Sequence, residues 1–485
     1  MSIRHTFRRW LGPVGLAMAI ASTTITRAAD ITVDTARTHQ TIEGFGTCLV
    51  SWNPEMTRFY ETPGAADMYA KELRFNMLRC NLWGDGTIGP VEDPQRISFK
   101  DPAFAANDPR TPVFINFAKA IRKINPDVKV IGTVWSPPKW MKENNSIVGG
   151  KSAAITATEY VARGAPVTDR VKKEFYPHFA KWLVEMVKHY EANGVPMYAI
   201  SPANEPQFTQ DFESCTWTVP DLAIIIPMIA EELKRAKLER VKIFGMESMS
   251  GFNWMGGPNR AFATAVQQDK ALRDGLDVFA THGYIDGFAA DQGAEAAAGF
   301  WELVKELDKP HWLTEGGTGG HEWAEVIGDK GVAAGLHNAF VAGNVSAWVP
   351  WQFAEPKPNE HCLTTTAGPT KKTWVVRQYS RFVPVNAVRV AAEPAYGDVN
   401  VSAFVTNGRG GVAGRFTAIL TNHSQRDQDV RLSLRGPGMA QLGKLTLIRT
   451  SATEDGVELP APVAAQRELR LTVPAQSVVT LTNVR

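Results

Sequence analysis

Apolar and polar positions along the chain form two textures. Up to about residue 382, eight short apolar or β-branched runs recur: Thr41–Cys48, Phe75–Leu82, Val128–Ser136, Met197–Pro206, Val241–Ser248, Leu276–Tyr284, Pro310–Gly316 and Ala347–Phe353. Amphipathic stretches separate most of them, an alternation that predicts βα units. Between Lys172 and Asn193, Phe175, Phe179, Trp182, Leu183, Met186, Val187 and Tyr190 fall on one helical face, and Gly194 and Pro196 stop the helix. Eight nearly continuous apolar strands, each buried on both faces, suit a closed (β/α)₈ barrel. The alternative, an open doubly wound sheet, normally carries a Gly-rich phosphate turn after its first strand. Here Gly44-Phe45-Gly46 is too short for that turn and lacks the third glycine.

After Phe382 the period changes to two. Phe416, Ala418 and Leu420 recur at every second position, as do Val430, Leu432 and Leu434, then Leu469, Leu471 and Val473; this is the signal of half-buried antiparallel strands. Asn407-Gly408 and Gly436-Pro437-Gly438 supply turns between them. The expected organisation is a barrel over residues 30–385 and a β-sandwich side domain over 386–485, with Ile31 and Val33 in residues 30–40 adding an early strand to the sandwich. No flexible linker precedes the β-module, so it reads as a brace for the barrel.

Composition changes this picture only at the amino terminus. Arg4, Arg8 and Arg9 precede an uncharged stretch from Trp10 to Thr26 and then Ala28 and Ala29, the layout of an export signal cleaved near residue 28. A membrane anchor is the alternative, opposed by Gly12, Pro13, Gly15 and the polar residues Ser22 to Thr24 in a run already short for a bilayer. Secretion or a periplasmic destination is therefore expected. Removing residues 1–28 takes away Arg4, Arg8, Arg9 and Arg27 and no acid, so the formal charge falls by four, from +2 to −2. With no basic run elsewhere, nucleic acid is excluded as a partner. The four cysteines, Cys48, Cys80, Cys215 and Cys362, are far apart without metal-type spacing, and are either buried thiols or disulfide-paired in one of three ways.

Two strand-end acids carry the chemistry. Glu205 ends the fourth strand in Ile200-Ser201-Pro202-Ala203-Asn204-Glu205-Pro206, and Glu315 ends the seventh in Trp312-Leu313-Thr314-Glu315-Gly316-Gly317. Barrel enzymes place reactive groups at these ends. Cleaving a glycosidic bond requires two carboxyl groups flanking the anomeric carbon, and residues 110 positions apart can meet across a barrel mouth. Such a pair needs no metal or organic cofactor. Taken alone, Asn-Glu-Pro is also a common surface turn, and Glu315 also reads as an acid at a helix N-terminus. If the pair does the work, the acid should be the more desolvated of the two and the nucleophile the more hydrogen-bonded.

The sequence resembles glycoside hydrolase family 30, its xylanase branch in particular. The resemblance rests on Glu43-Gly44-Phe45-Gly46, Trp135-Ser136-Pro137-Pro138-Lys139-Trp140-Met141-Lys142, Asn204-Glu205-Pro206, Cys215-Thr216-Trp217-Thr218, Thr281-His282-Gly283-Tyr284 and Tyr379-Ser380-Arg381-Phe382, in that order along the chain. It implies a retaining mechanism with Glu205 as acid/base and Glu315 as nucleophile. By the same resemblance, Asn204 bonds the sugar 2-hydroxyl, Arg79 holds the nucleophile ionised, and His282 and Tyr284 line the site. Among fourteen tryptophans, Trp135 and Trp351 are the favoured sugar platforms, with Trp217 and Trp140 as further candidates.

The glycan is less sharply indicated. Glucuronoxylan-directed members of the family carry an arginine after the eighth strand. Here Trp351-Gln352-Phe353-Ala354-Glu355-Pro356-Lys357-Pro358-Asn359-Glu360 has none, and Gly316-Gly317-Thr318 replaces the aromatic pair that follows the nucleophile in that branch. An endo-β-1,4-xylanase with weak or no uronate dependence is the first reading. Another family activity (β-1,6-glucanase, β-glucosidase, β-xylosidase or an enzyme releasing xylobiose) is the second, and an inactive carbohydrate-binding protein the third. The loop Gly316–Ile327 discriminates: walling off one end of the cleft favours exo action, and an open groove endo action. The expected partner is a polysaccharide or oligosaccharide met by a monomer, with no membrane partner after processing.

Overall fold

The computed structural model describes residues 28–83, 89–100, 110–250, 257–285, 293–406, 414–439, 442, 444–459, 463–464 and 468–485. The segment read as an export signal lies outside them up to residue 27, as does the Asn407-Gly408 turn. No helix among the described residues is long and apolar enough to cross a membrane.

Eight parallel strands close into a barrel: β1 (Gly44–Leu49), β2 (Met77–Leu82), β3 (Lys129–Val134), β4 (Met197–Ser201), β5 (Lys242–Ser250), β6 (Val278–Ile285), β7 (His311–Glu315) and β8 (Ala347–Trp348). β8 closes the ring on β1 through Ala347 opposite Gly44 and Trp348 opposite Phe45. Each strand overlaps one of the apolar runs read from the sequence, with β1, β5 and β6 ending one or two residues past it. A side chain on Gly46 would collide with the Met77 backbone, so this position in the β1–β2 contact has room only for glycine.

Helices cover the outside, and Tyr176–Ala192 illustrates why they form. Phe179, Trp182, Leu183, Met186, Val187 and Tyr190 are all fully buried at helical spacing, and Pro177 sits in the first turn, where its missing N–H costs nothing. Burying each such side chain contributes roughly 1.5–3 kcal/mol. Inside the barrel, Met77, Ile131, Ala199, Phe244, Val278, Ala280, Trp312, Ala347 and Val349 form an apolar layer toward the N-terminal end. Below it, Glu43 accepts hydrogen bonds from Trp312 Nε1 (3.2 Å) and Ser346 Oγ (3.3 Å).

The second domain is the expected β-sandwich, built from one ten-stranded sheet. Its main path runs Val457–Glu458, Lys444–Thr450, Ser477–Thr482, Phe416–Asn422, Val399–Val405, Val388–Glu393, Ala29–Thr41, Gln428–Arg435, Glu468–Val473, with Val463–Ala464 added beside Lys444–Thr450. Ala29–Thr41 pairs antiparallel with Val388–Glu393 and parallel with Gln428–Arg435, one parallel step in an otherwise antiparallel sheet. The sheet folds over until Glu468–Val473 meets Phe416–Asn422 across a core of Val33, Val401, Leu420, Leu432 and Leu481.

Period-two burial holds in Gln428–Arg435 but not in Phe416–Asn422 or Ser477–Thr482, where every residue is buried. The opposite face of those two strands, with Ile419 and Val478, packs into the barrel's hydrophobic core. Thr417 and Thr482 on that face bond each other at 2.8 Å. Trp323 Nε1 to the Gln476 carbonyl (3.1 Å) and Gln378 Nε2 to Thr450 Oγ1 (2.7 Å) complete the joint between the domains.

Candidate active site

The C-terminal ends of β2 to β7 converge on one cluster of charged side chains. Glu315 is the last residue of β7. Glu205 follows β4 in a left-handed backbone conformation (φ 47°), held by the Asn204 amide to the Val134 carbonyl (2.8 Å) and by its own amide to the Glu247 carbonyl (3.1 Å). Such a conformation costs a glutamate on the order of 1–3 kcal/mol and persists only where the surroundings enforce it.

Oxygen atoms of Glu205 and Glu315 and a ring nitrogen of His282 lie within 4.8 Å of one another. That closeness is in keeping with the roughly 5–5.5 Å between the carboxyl groups of retaining glycosidases. The two side chains are equally buried, each 7% exposed, so desolvation does not separate them as the sequence reading expected. Their partners do.

Glu315 Oε2 receives Arg79 Nη1 at 2.6 Å and Oε1 receives the Tyr284 hydroxyl at 3.0 Å. Glu205 Oε2 receives Gln210 Nε2 at 2.6 Å, and Oε1 lies 3.1 Å from His282 Nδ1. Glu315 thus holds the shorter charge-assisted bond, from the Arg79 guanidinium, and Glu205 the longer one, from the His282 ring. Burial pushes the Glu315 carboxyl above its ordinary range; His282 and Arg79 pull it down, while the Glu205 charge adds to the rise.

Arg79 is wholly buried, so it reaches substrate only through its partners. Besides Glu315 it bonds Asn204 Oδ1 (2.8 Å) and Thr133 Oγ1 (3.2 Å), and its guanidinium lies 4.6 Å from the Trp135 ring centre. His282 is also fully buried. Burial opposes its charge, but Glu315 above all, with the contacts to Glu205 and Glu247, raises its pKa to about 9 and keeps the ring an imidazolium. Tyr284 is driven well above its ordinary range by burial and by Glu315, and stays a neutral donor.

Sequence reading missed Glu247. It sits in β5, fully buried, with Oε1 3.1 Å from Arg79 Nη2 and Oε2 accepting Thr133 Oγ1 at 2.9 Å. Burial works against its charge, yet Arg79 and then His282 bring its pKa down to about 2. An acid ending the apolar run Val241–Ser248 was the available signal. Gln210 was missed for a different reason, since nothing local marks a loop glutamine that folds back five residues.

Above the carboxyl pair opens a cavity of about 560 Å³, lined by Trp52, Trp83, Trp135, Tyr284, Trp351 and His361, with Asn204 in its wall. The tryptophans form a row: Trp83 to Trp135 at 6.5 Å, Trp135 to Trp351 at 5.8 Å, Trp351 to Trp52 at 6.0 Å between ring centroids. Trp135 and Trp351 thus stand where sugar platforms were expected. Trp217 does not: it is fully buried against Tyr176 and Phe179, a core residue. Trp140 likewise packs on Phe175 and His178.

The loop Gly316–Ile327 contributes nothing to the cavity lining among the described residues. It turns away, with Thr318 and Gly319 bonded by the buried Lys372 (2.9 and 2.7 Å) and His321 bonded to the Asn359 carbonyl (2.7 Å). The cysteines are four buried free thiols.

A (β/α)₈ barrel holding two strand-end carboxyl groups this close has the architecture of a retaining O-glycoside hydrolase. Residues 97–219 match the model of the glycosyl hydrolase family 30 TIM-barrel domain. It is 23% identical over 396 residues to glucuronoxylanase XynC of Bacillus subtilis strain 168, covering 79% of this chain and 77% of that one. An endo-1,6-β-D-glucanase of Neurospora crassa is 29% identical over 86 residues, 18% of this chain and 15% of that one. Among solved structures, the family 30 subfamily 8 xylanase Xyn30A of Clostridium acetobutylicum superposes with a TM-score of 0.70 at 23% identity, over 93% of this chain and 99% of that one.

Proposed function

We propose that the protein is an endo-β-1,4-xylanase with weak or no dependence on glucuronate side chains, with Glu205 as acid/base and Glu315 as nucleophile. The observation that carries the catalytic assignment is the pair of carboxyl groups within 4.8 Å beneath a row of tryptophans. Glu315 attacks the anomeric carbon as Glu205 gives its proton to the leaving oxygen; a glycosyl ester forms and the glycosidic C–O bond breaks. Glu205, now a base, takes a proton from water, whose oxygen displaces Glu315 and releases the sugar with configuration retained.

Xylan is favoured by the likeness to a glucuronoxylanase over most of the chain. Independence of uronate is favoured by the absence of arginine from residues 351–360. Endo action is favoured because no residue of Gly316–Ile327 lines the cavity among the described residues. The likeness to an endo-1,6-β-D-glucanase and the Gly316-Gly317-Thr318 segment keep β-1,6-glucan as the second reading.

Product profiles on unsubstituted xylan, glucuronoxylan and β-1,6-glucan test this. Mixed long oligomers from both xylans at comparable rates are expected. A single small product, or turnover of the β-1,6-glucan alone, overturns it. The division into a barrel over 30–385 and a brace over 386–485, and export by residues 1–28, belong to the same proposal. Amino-terminal sequencing of the exported protein should begin near Ala29.

A further inference from the structure

Three carboxylates and two cations share one buried space. Glu205, Glu247 and Glu315 surround Arg79 and His282, and the neighbouring Cys48 thiol and Tyr284 hydroxyl are held neutral by burial. With every acid ionised and His282 protonated, the cluster carries one net negative charge, and it becomes neutral by taking up one proton. A retaining glycosidase needs one proton on its carboxyl pair before the first step.

Glu247 stands under the pair and touches neither of its carboxylates. Its Oε1 is 3.1 Å from Arg79 Nη2 and 3.7 Å from His282 Nε2, and that nitrogen is in turn 3.7 Å from Glu315 Oε2. His282 Nε2 is buried and faces both carboxylates at 3.7 Å, and their attraction supports its charge on that side. We propose that Glu247 is a positioning residue that sets how many protons the site above it holds: its fixed carboxylate keeps His282 charged while one proton remains on the Glu205–Glu315 pair. Without it, an imidazolium, a guanidinium and a singly protonated pair leave one uncompensated positive charge, and the site sheds a proton from His282 or from Glu205.

Among the described residues, the charged groups facing Glu247 that enter this balance are Arg79 from β2, Glu205 beyond β4, His282 from β6 and Glu315 from β7, with Thr133 from β3 as a neutral donor. Mechanistically, Glu247 spares Glu205 from choosing between an ionised neighbour and its own proton. This inference rests on the acid/base and nucleophile roles proposed above.

The test is Glu247→Gln in the full chain, with two readouts. The ¹⁵N-histidine resonance that is lost in His282→Gln should titrate at least one pH unit lower in E247Q, about a tenfold loss of proton affinity. The alkaline limb of the kcat/KM profile, which reports the free enzyme, should move toward acid by a comparable amount. Glu247→Asp and Glu247→Asn repeat the charge comparison at shorter length if E247Q does not fold, and Asp should keep both midpoints nearer wild type than Asn. Unmoved midpoints in folded E247Q, or a loss of kcat equal at every pH, would overturn the proposal. Hydrolysis surviving in Glu205→Gln and Glu315→Gln would instead sink the catalytic assignment, a result separable because the imidazole titration requires no turnover.

Discussion

The two ends of the barrel are made by the same eight strands and solve opposite problems. Toward the N-terminal end, Phe244, Val278, Ala280, Trp312 and Ala347 fill the interior with hydrocarbon, and Trp312 Nε1 finds Glu43. At the C-terminal end the same strands place Arg79, Glu247, His282 and Glu315 inside, each fully or almost fully buried. Hydrocarbon gains from leaving water; buried charge loses several kcal/mol per ion unless a partner compensates it. Stability is therefore concentrated in the lower layer and chemistry in the upper, and mutations should divide along that line.

The largest effect should come from Glu315→Gln. It removes the proposed nucleophile, and a kcat loss greater than for any other single substitution is expected, with no covalent glycosyl-enzyme detectable by mass spectrometry. Glu205→Gln should lower kcat by about 10²–10⁴. The loss should be smallest on substrates whose leaving group needs no proton, and kinetics on aryl glycosides of graded acidity would show that dependence. If either variant keeps full activity, the upper layer is not the catalytic one.

In the lower layer, Trp312→Ala should cost about 3–5 kcal/mol in denaturant unfolding while the remaining folded molecules turn over normally. A large kcat change in that variant would blur the division between the ends.

A smaller effect separates the ends by pH. His282 has a folded pKa of about 9, raised from 6.5, so its contribution to stability is fully present below pH 6.5 and is lost as pH rises through about 9. Glu247 has a folded pKa of about 2, lowered from 4.5, so its contribution is present above pH 4.5 and is lost as pH falls through about 2. Melting temperatures should accordingly fall on both sides of a plateau between pH 4.5 and 6.5, by on the order of a few °C at first. The alkaline fall should vanish in His282→Gln.

The mildest expected change is Trp351→Ala. KM should rise by roughly tenfold with kcat nearly kept, since a stacking face contributes about 1 kcal/mol or somewhat more. Trp217→Ala should do the reverse, lowering stability and leaving KM alone.

Trp217 and Glu247 show where sequence reading stops. Both lie beside segments that reading singled out, one inside Cys215–Thr218 and the other in the run Val241–Ser248. Whether a side chain at a strand end points into the cleft, the barrel or the helix layer depends on local backbone geometry, such as the positive φ of Glu205 and Glu247. No periodicity records that. Gln210 reaches Glu205 because Asp169, paired with Lys142 at 2.6 Å, holds Ser214, whose hydroxyl accepts the Gln210 amide. Such a chain of contacts exists only in three dimensions.

What the sequence alone determined was the architecture and the two acids. Strand period, helical faces and strand-end position are local signals that survive along the chain, and they marked the eight barrel strands and Glu205 with Glu315. Tertiary structure decided the rest: the distance between those acids, the third carboxylate beneath them, which tryptophans face the cleft, and the burial of both faces in two strands of the side sheet. Each of these depends on atoms remote in sequence meeting at a few ångströms, where burial and Coulomb attraction, not local propensity, set the outcome.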